Sequence, residues 1–317
     1  MKLKVIFLKK KFIILFTIGL IILIILILFI LFILSESKST ATFSIYDQNL
    51  ISSADLNGDG IADLVYIKTE ANKYYMEASI KGKNLKFTPD IHIPSLGSYL
   101  PYWPMHVTFF DTNRDNVPEV FLQSGEKDTS LQHVFIWENE GFKDILWNNN
   151  NLIGFADSKN NKTPKFISAK YTNGDMNFTY YILLKNKYQS YTYNYPNSYL
   201  GKNTIAAFIK YIEALPGSKD YQPKDINYNG NNTSSQNAVE KLLAQKCDFI
   251  FEDGVFMDTK WNKEGEPIEV NWSLNFKAVS TLNKLDSKKI NLDIQLKYDE
   301  TKNSTFLFKI YKITLKN

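Results

Sequence analysis

The 317-residue chain carries 37 Lys+Arg against 33 Asp+Glu, a formal charge of +4, and five of its lysines fall within the first eleven residues. The remainder is close to neutral and Arg114 is the sole arginine, so no arginine cluster can clamp phosphates or grip a duplex, and nucleic acid is excluded as a partner. The sole cysteine, Cys247, excludes an intrachain disulfide.

At the N-terminus, "MKLKVIFLKKKF" supplies Lys2, Lys4, Lys9, Lys10 and Lys11, and residues 12–34 follow without a charge. At about 1.5 Å per residue that run reaches about 34 Å, against a hydrocarbon core of about 30 Å. Flanking lysines stay on the cytoplasmic side. The expectation is therefore a basic cytoplasmic tail over 1–11, a single-pass transmembrane anchor over 12–34 and a linker over 35–44. The bulk of the chain would then lie outside the cell membrane. The run is longer than a signal-peptide core, and "SESKST" lacks an A-x-A pattern, which favours an anchor over a cleaved signal peptide.

Internal similarity organises residues 45–196. "NLISSADLNGDGIADLVYIKT" (49–69) aligns with "MHVTFFDTNRDNVPEVFLQSG" (105–125) and, less closely, with "NLIGFADSKNNKTPKFISAKY" (151–171). Each copy has an apolar strand, a polar loop and a second apolar strand, followed by two more strand-like runs. The turns "KGKN", "ENEG" and "KNK" carry Gly or Asn. Four short strands per 46–56 residues match a propeller blade. Three blades are countable, fewer than the four to eight of a closed ring.

Beyond a linker at 197–203, the texture changes to a small α+β domain over 204–317. Ile205, Phe208, Ile209, Ile212 and Leu215 recur at helical spacing. "NAVEKLLAQKCDF" reads as a second helix opened by an Asn237-x-x-Glu240 capping box. "FIFEDGVFM" reads as a hairpin closed on Asp253-Gly254. Alternation then marks three longer strands: Ile268 to Phe276, Ile290 to Leu296, and "STFLFKIYKITL".

The polar loops carry the chemistry. "DLNGDGIAD" (55–63) and "DTNRDNVPE" (111–119) place acidic or amide side chains at the first, third, fifth and ninth positions. Oxygen donors at that spacing suit a hard cation with six to eight oxygen ligands, Ca²⁺ above all. Gly60 and Asn116 hold the sixth position, where a tight turn needs positive φ. Asx-rich turns closed on their own backbone are the alternative reading. The twelfth positions are Tyr66 and Leu122 and the flanks are strands, so this is not an EF-hand.

Calcium loops between strands, one per four-stranded unit, resemble the FG-GAP/VCBS repeats of integrin-α-type propellers. The resemblance covers residues 45–196, without the Phe-Gly and Gly-Ala-Pro signatures. It implies calcium ligands at Asp55, Asn57, Asp59, Ile61 (by its carbonyl) and Asp63. In the second loop it implies Asp111, Asn113, Asp115, Val117 (by its carbonyl) and Glu119. In the third copy Lys159 and Lys165 occupy ligand positions, leaving Asp157 and Asn161.

His92, His106 and His133 are scattered without a zinc pattern, and no G-x-S-x-G, Walker or dinucleotide motif occurs. Tyr191, Tyr193, Tyr195 and Tyr199, with "SYLPYWP" (98–104), could offer a stacking surface to sugar or peptide. The expected role is that of a non-catalytic, membrane-anchored calcium-binding module for adhesion, docking an unknown protein or glycan ligand outside the cell. Two alternatives stand beside it. One is a cell-envelope enzyme or small-ligand-binding protein with its site in 204–317, where helix followed by meander is weakly similar to the NTF2-like class. The other is a structural subunit of a membrane complex.

Overall fold

The computed structural model describes residues 51–90, 92, 95–157, 159, 164–193, 195–196, 198–217, 223, 225–228, 233–299 and 305–316, together with 11, 16, 18–27 and 44–45. The chain divides into two units, Met1–Ala41 and Thr42–Asn317. In the first, residues 18–27 are helical and exposed. The expected fold class is corrected here. Among the described residues no helix is long and apolar enough to cross a membrane. Apart from Phe16 and residues 18–27, the rest of 12–34 lies outside the described residues, as does most of the 1–11 tail.

The second unit is built of strands. After β1 (Ser44–Ile45) come β2 (Ile51–Ala54), β3 (Asp63–Glu70), β4 (Lys73–Ile80) and β5 (Lys83–Lys86), an antiparallel four-stranded sheet in chain order. Next come β6 (His106–Phe110), β7 (Glu119–Glu126), β8 (Thr129–Glu138) and β9 (Gly141–Asn148), which form a second antiparallel sheet with β1 along its β6 edge. The third copy supplies β10 (Leu152–Ala156), β11 (Lys165–Thr172), β12 (Asp175–Leu184) and β13 (Lys187–Tyr191). Five of the hairpins close on two residues that both have positive φ, among them Lys81-Gly82, Asn139-Glu140 and Lys185-Asn186. That geometry matches the right-handed twist of the strands it joins.

The third set does not stand alone. Leu152, Ile153, Gly154 and Phe155 of β10 pair in parallel with Gly254, Val255, Phe256 and Met257 of β14 (Cys247–Trp261). With β15 (Pro267–Ser280), β16 (Ser287–Tyr298) and β17 (Phe308–Lys316) this makes one eight-stranded sheet, ordered β13-β12-β11-β10-β14-β15-β16-β17. A blade followed by a separate meander is thus corrected to a single mixed sheet. The Asp253-Gly254 hairpin is corrected too. Both residues lie inside β14, which runs straight past them with a bulge between Phe251 and Asp253.

Two helices cover one face of this sheet's C-terminal half: α1 (Lys202–Glu213) and α2 (Thr233–Leu243). Ile205, Phe208, Ile209 and Ile212 of α1 are buried against Phe276, Leu292 and Leu296 in one core. Trp272 stacks on Phe256 at 4.1 Å and donates Nε1–H to the Leu200 carbonyl. The expected capping box is displaced, because α2 starts at Thr233 and leaves Asn237 inside the helix.

The second sheet lies between the other two. Val120 and Leu122 of β7 join a core with Val65, Met76 and Ala78 of the first sheet. Phe121, between them in sequence, turns the other way onto Phe155 and Phe166, each 4.9 Å away. Alternation with both faces buried is what a central strand requires.

Candidate metal centre

Both expected loops are closed largely by equivalent hydrogen bonds in the same register. Asp55 Oδ1 accepts from Gly58 N at 2.8 Å and Asp59 N at 3.1 Å, while Oδ2 accepts from Gly60 N at 2.7 Å. Asp111 Oδ1 accepts from Arg114 N at 2.6 Å and Oδ2 from Asn116 N at 3.0 Å. At the third position Asn57 Oδ1 and Asn113 Oδ1 each accept the N–H two residues on, at 2.9 Å. Asp59 and Asp115 do the same for Ile61 and Val117. Asp63 Oδ2 takes the Leu56 N–H, and Glu119 Oε2 takes the Thr112 N–H and hydroxyl.

Backbone conformation repeats as well. The fourth and sixth positions have positive φ in both loops: Gly58 and Gly60 in one, Arg114 and Asn116 in the other. The sequence pointed to the sixth position only. The loops are also neighbours, since a Cβ on Gly58 would meet Val117 Cγ2 at 2.7 Å. The third loop differs. Lys159 Nζ pairs with Glu266 at 2.9 Å, and the Asp157 N–H is taken by Asp258 of β14. Asn161 lies outside the described residues, and Lys165 begins β11.

The electrostatics follow burial. Asp59, exposed, is held below the usual carboxylate range by the Ile61 N–H, with Asn57 and Lys81 assisting. Burial pushes Asp63 up against the Leu56 N–H, and the charges of Asp59 and Asp55 push the same way. Burial pushes Glu119 up to about 7, opposed by Thr112.

The donor set fits a hard cation: three side-chain oxygen positions per turn, a carbonyl at Ile61 or Val117, and a ninth-position carboxylate. Each carboxylate has about four lone-pair sites, so the N–H bonds fix its orientation without exhausting it. Asp59 Oδ2 and Asp115 Oδ2 also receive the Nδ2 groups of Asn57 and Asn113, at 3.1 and 2.8 Å. In this arrangement no group of three or more His, Cys, Asp or Glu among the described residues is set to hold a metal ion. The alternative of Asx turns closed on their own backbone describes the same hydrogen bonds.

The histidines part company. His133 Nδ1 lies 2.7 Å from Asp144 in the second sheet, and His106 Nδ1 lies 3.4 Å from Asp253 Oδ1. The aromatic residues are mostly spent internally. Trp103 is buried and donates to Asp253 at 2.6 Å, Tyr195 and Tyr199 stack on each other at 3.9 Å, and Tyr193 is exposed.

One feature escaped the sequence reading. A cavity of about 290 Å³ lies between β6 and the face of β15–β17 turned away from the helices. There Asn275 faces Asn291, Ser273 faces Asp293 and Asn271 faces Gln295 across the strands. The alternation was legible in sequence as a polar face, but not that another sheet covers it.

Residues 55–122 match the FG-GAP-like repeat family, a span that takes in both loops and runs into β7. The chain is similar to the "T-cell immunomodulatory protein homolog" of Plasmodium falciparum (isolate 3D7), with 25% identity over 157 residues, 44% of this chain and 22% of that protein. It is also similar to the protein of the same name from Plasmodium yoelii yoelii, with 30% identity over 138 residues, 38% of this chain and 20% of that protein. The chain thus spans about a fifth of the length of these curated relatives.

Proposed function

We propose that this chain is a non-catalytic binding protein of the cell surface whose FG-GAP-like loops are stiffened by Ca²⁺. Asp55, Asn57, Asp59, Asp63 and the Ile61 carbonyl would hold one ion. Asp111, Asn113, Asp115, Glu119 and the Val117 carbonyl would hold the other. The observation that carries this reading is the repeated register: two loops 56 residues apart orient equivalent oxygens with equivalent N–H groups and equivalent positive-φ positions. The role of the ion is electrostatic. It offsets the mutual repulsion of three carboxylates within one turn and ties β2 to β3 and β6 to β7.

Extracellular calcium modules bind at about 10⁻⁴ to 10⁻³ M. At free calcium tenfold above such a constant, linkage stabilises by about 1.4 kcal/mol per site. A shift of about 2–4 °C in Tm per site is expected for a domain of this size. Thermal unfolding of the full chain with millimolar Ca²⁺ or chelator measures it. Asp59→Ala should remove about half the rise, and adding Asp115→Ala should remove the rest. A calcium-independent Tm would leave these as ordinary Asx turns and overturn the reading. A second reading, small-ligand binding, is favoured by the polar cavity.

A further inference from the structure

Three buried polar atoms on the wall of one cavity lack a hydrogen-bond partner: His106 Nε2, Asn275 Oδ1 and Asn291 Oδ1. His106, Asn275 and Asn291 line the cavity between β6 and β15–β17, and Asp253 sits opposite Asn275 on β14. Asn275 and Asn291 are 1% and 3% exposed, and Asp253 is fully buried. A buried acceptor without a donor costs about 1–3 kcal/mol, so several together in one cavity point to an occupant.

The chemistry of that occupant can be read from the walls. The orphaned amide oxygens of Asn275 and Asn291 are acceptors, so the occupant must donate hydrogen bonds. A cation would meet Lys312 and Lys316 on the wall, of which Lys316 pairs with Asp293 at 2.6 Å. An anion would meet Asp293 and the same orphaned oxygens. A neutral molecule with several hydroxyls satisfies both limits, because each hydroxyl donates one bond and accepts another. Asn275 and Asn291 pair across β15 and β16, so their Oδ1 atoms are two acceptors side by side, matching adjacent hydroxyl donors, while Asn275 Nδ2 donates to the Tyr102 carbonyl. At about 290 Å³ the cavity lies just under the range of about 300–1,000 Å³ of small-molecule sites.

We infer that the cavity between the second repeat sheet and β15–β17 binds a neutral sugar of one or two rings, held by Asn275, Asn291 and His106. The site is separate from the acidic loops, and calcium is not part of it.

The test is a titration of the full chain, followed by the side-chain amide NMR signals of Asn275 and Asn291. The probes are glucose, galactose, mannose, N-acetylglucosamine and maltose, with choline chloride and sodium phosphate as charged controls. A saturable shift of both signals with at least one sugar is expected, at a Kd of about 1 mM or tighter. Asn275→Leu with Asn291→Leu should weaken that binding at least about tenfold, with the long Asn275–Tyr102 hydrogen bond at 3.5 Å the interaction lost from the fold. If the double variant fails to fold, the signals of the unaltered chain decide the matter alone. The proposal is overturned if no sugar gives a saturable shift, which would mean a hydrated cavity only. It is equally overturned if only choline or phosphate binds, or if sugar binding leaves these signals unmoved or survives in the leucine variant.

Discussion

Asp253 shows how a single buried carboxyl joins two sheets. Trp103 Nε1 donates to it at 2.6 Å, and His106 Nδ1 stands 3.4 Å away. The contact with His106 is not an ion pair. Burial pushes the histidine down to about 4 and Asp253 up to about 7. Glu252, beside it, is pushed up to about 8 by burial and then by the Asp253 charge. The sign for stability follows from which state holds the proton. Folded Asp253 keeps its proton to about pH 7, whereas the unfolded chain releases it near 3.8, so its contribution falls as pH rises through that window. Asp253→Asn preserves an acceptor for Trp103 and removes the titration. With Trp103, His106, Glu252 and Lys289 left in place, the variant should gain Tm relative to the unaltered chain at pH 8 and gain less at pH 4. A difference in Tm that stays constant with pH would contradict this assignment.

At the scale of strands, Gly154 of β10 leaves room for the ring of Phe256, its partner on β14. A Cβ there would fall 2.0 Å from the Phe256 ring, which is itself clamped by Trp272 and Phe178. Gly154→Ala should therefore cost about 1–3 kcal/mol by overpacking, whereas Gly141→Ala, with nothing within 4 Å, should stay within about 0.5 kcal/mol. Urea titration of both variants separates the cases. Strands and turns were legible where the cause is local: apolar runs set β3 and β7, alternation set β15 and β16, and Gly or Asn set the turns at 81–82, 139–140 and 185–186. The same local chemistry misled at Asp253-Gly254. Pairing with β10 on one side and β15 on the other keeps the backbone extended there. The glycine is needed for a different reason, because Leu152 and Leu274 crowd its Cβ position at 2.9 Å. The acidic loops could be read because their donors lie within nine residues. The sugar cavity could not, since β6 and β16 bring its walls together from opposite ends of the second unit.

For the molecule as a whole, the shared sheet and the two cores imply that Thr42–Asn317 melts as one body. Calorimetry of the full chain should give a single transition for this unit. A chain ending at residue 203 should lack it, having lost β14 from the open side of β10. A separate, reversible transition from that fragment would show that the repeats fold without the C-terminal strands. The parallel pairing of β10 with β14 also has a consequence on the ribosome. Leu152–Phe155 emerges about 100 residues before its partner Gly254–Met257, so at about 5–20 residues per second a bare strand edge waits for about 5–20 s. During that interval the nascent chain offers an adhesive template to other chains, which makes synthesis of β14 the step that covers this edge against aggregation.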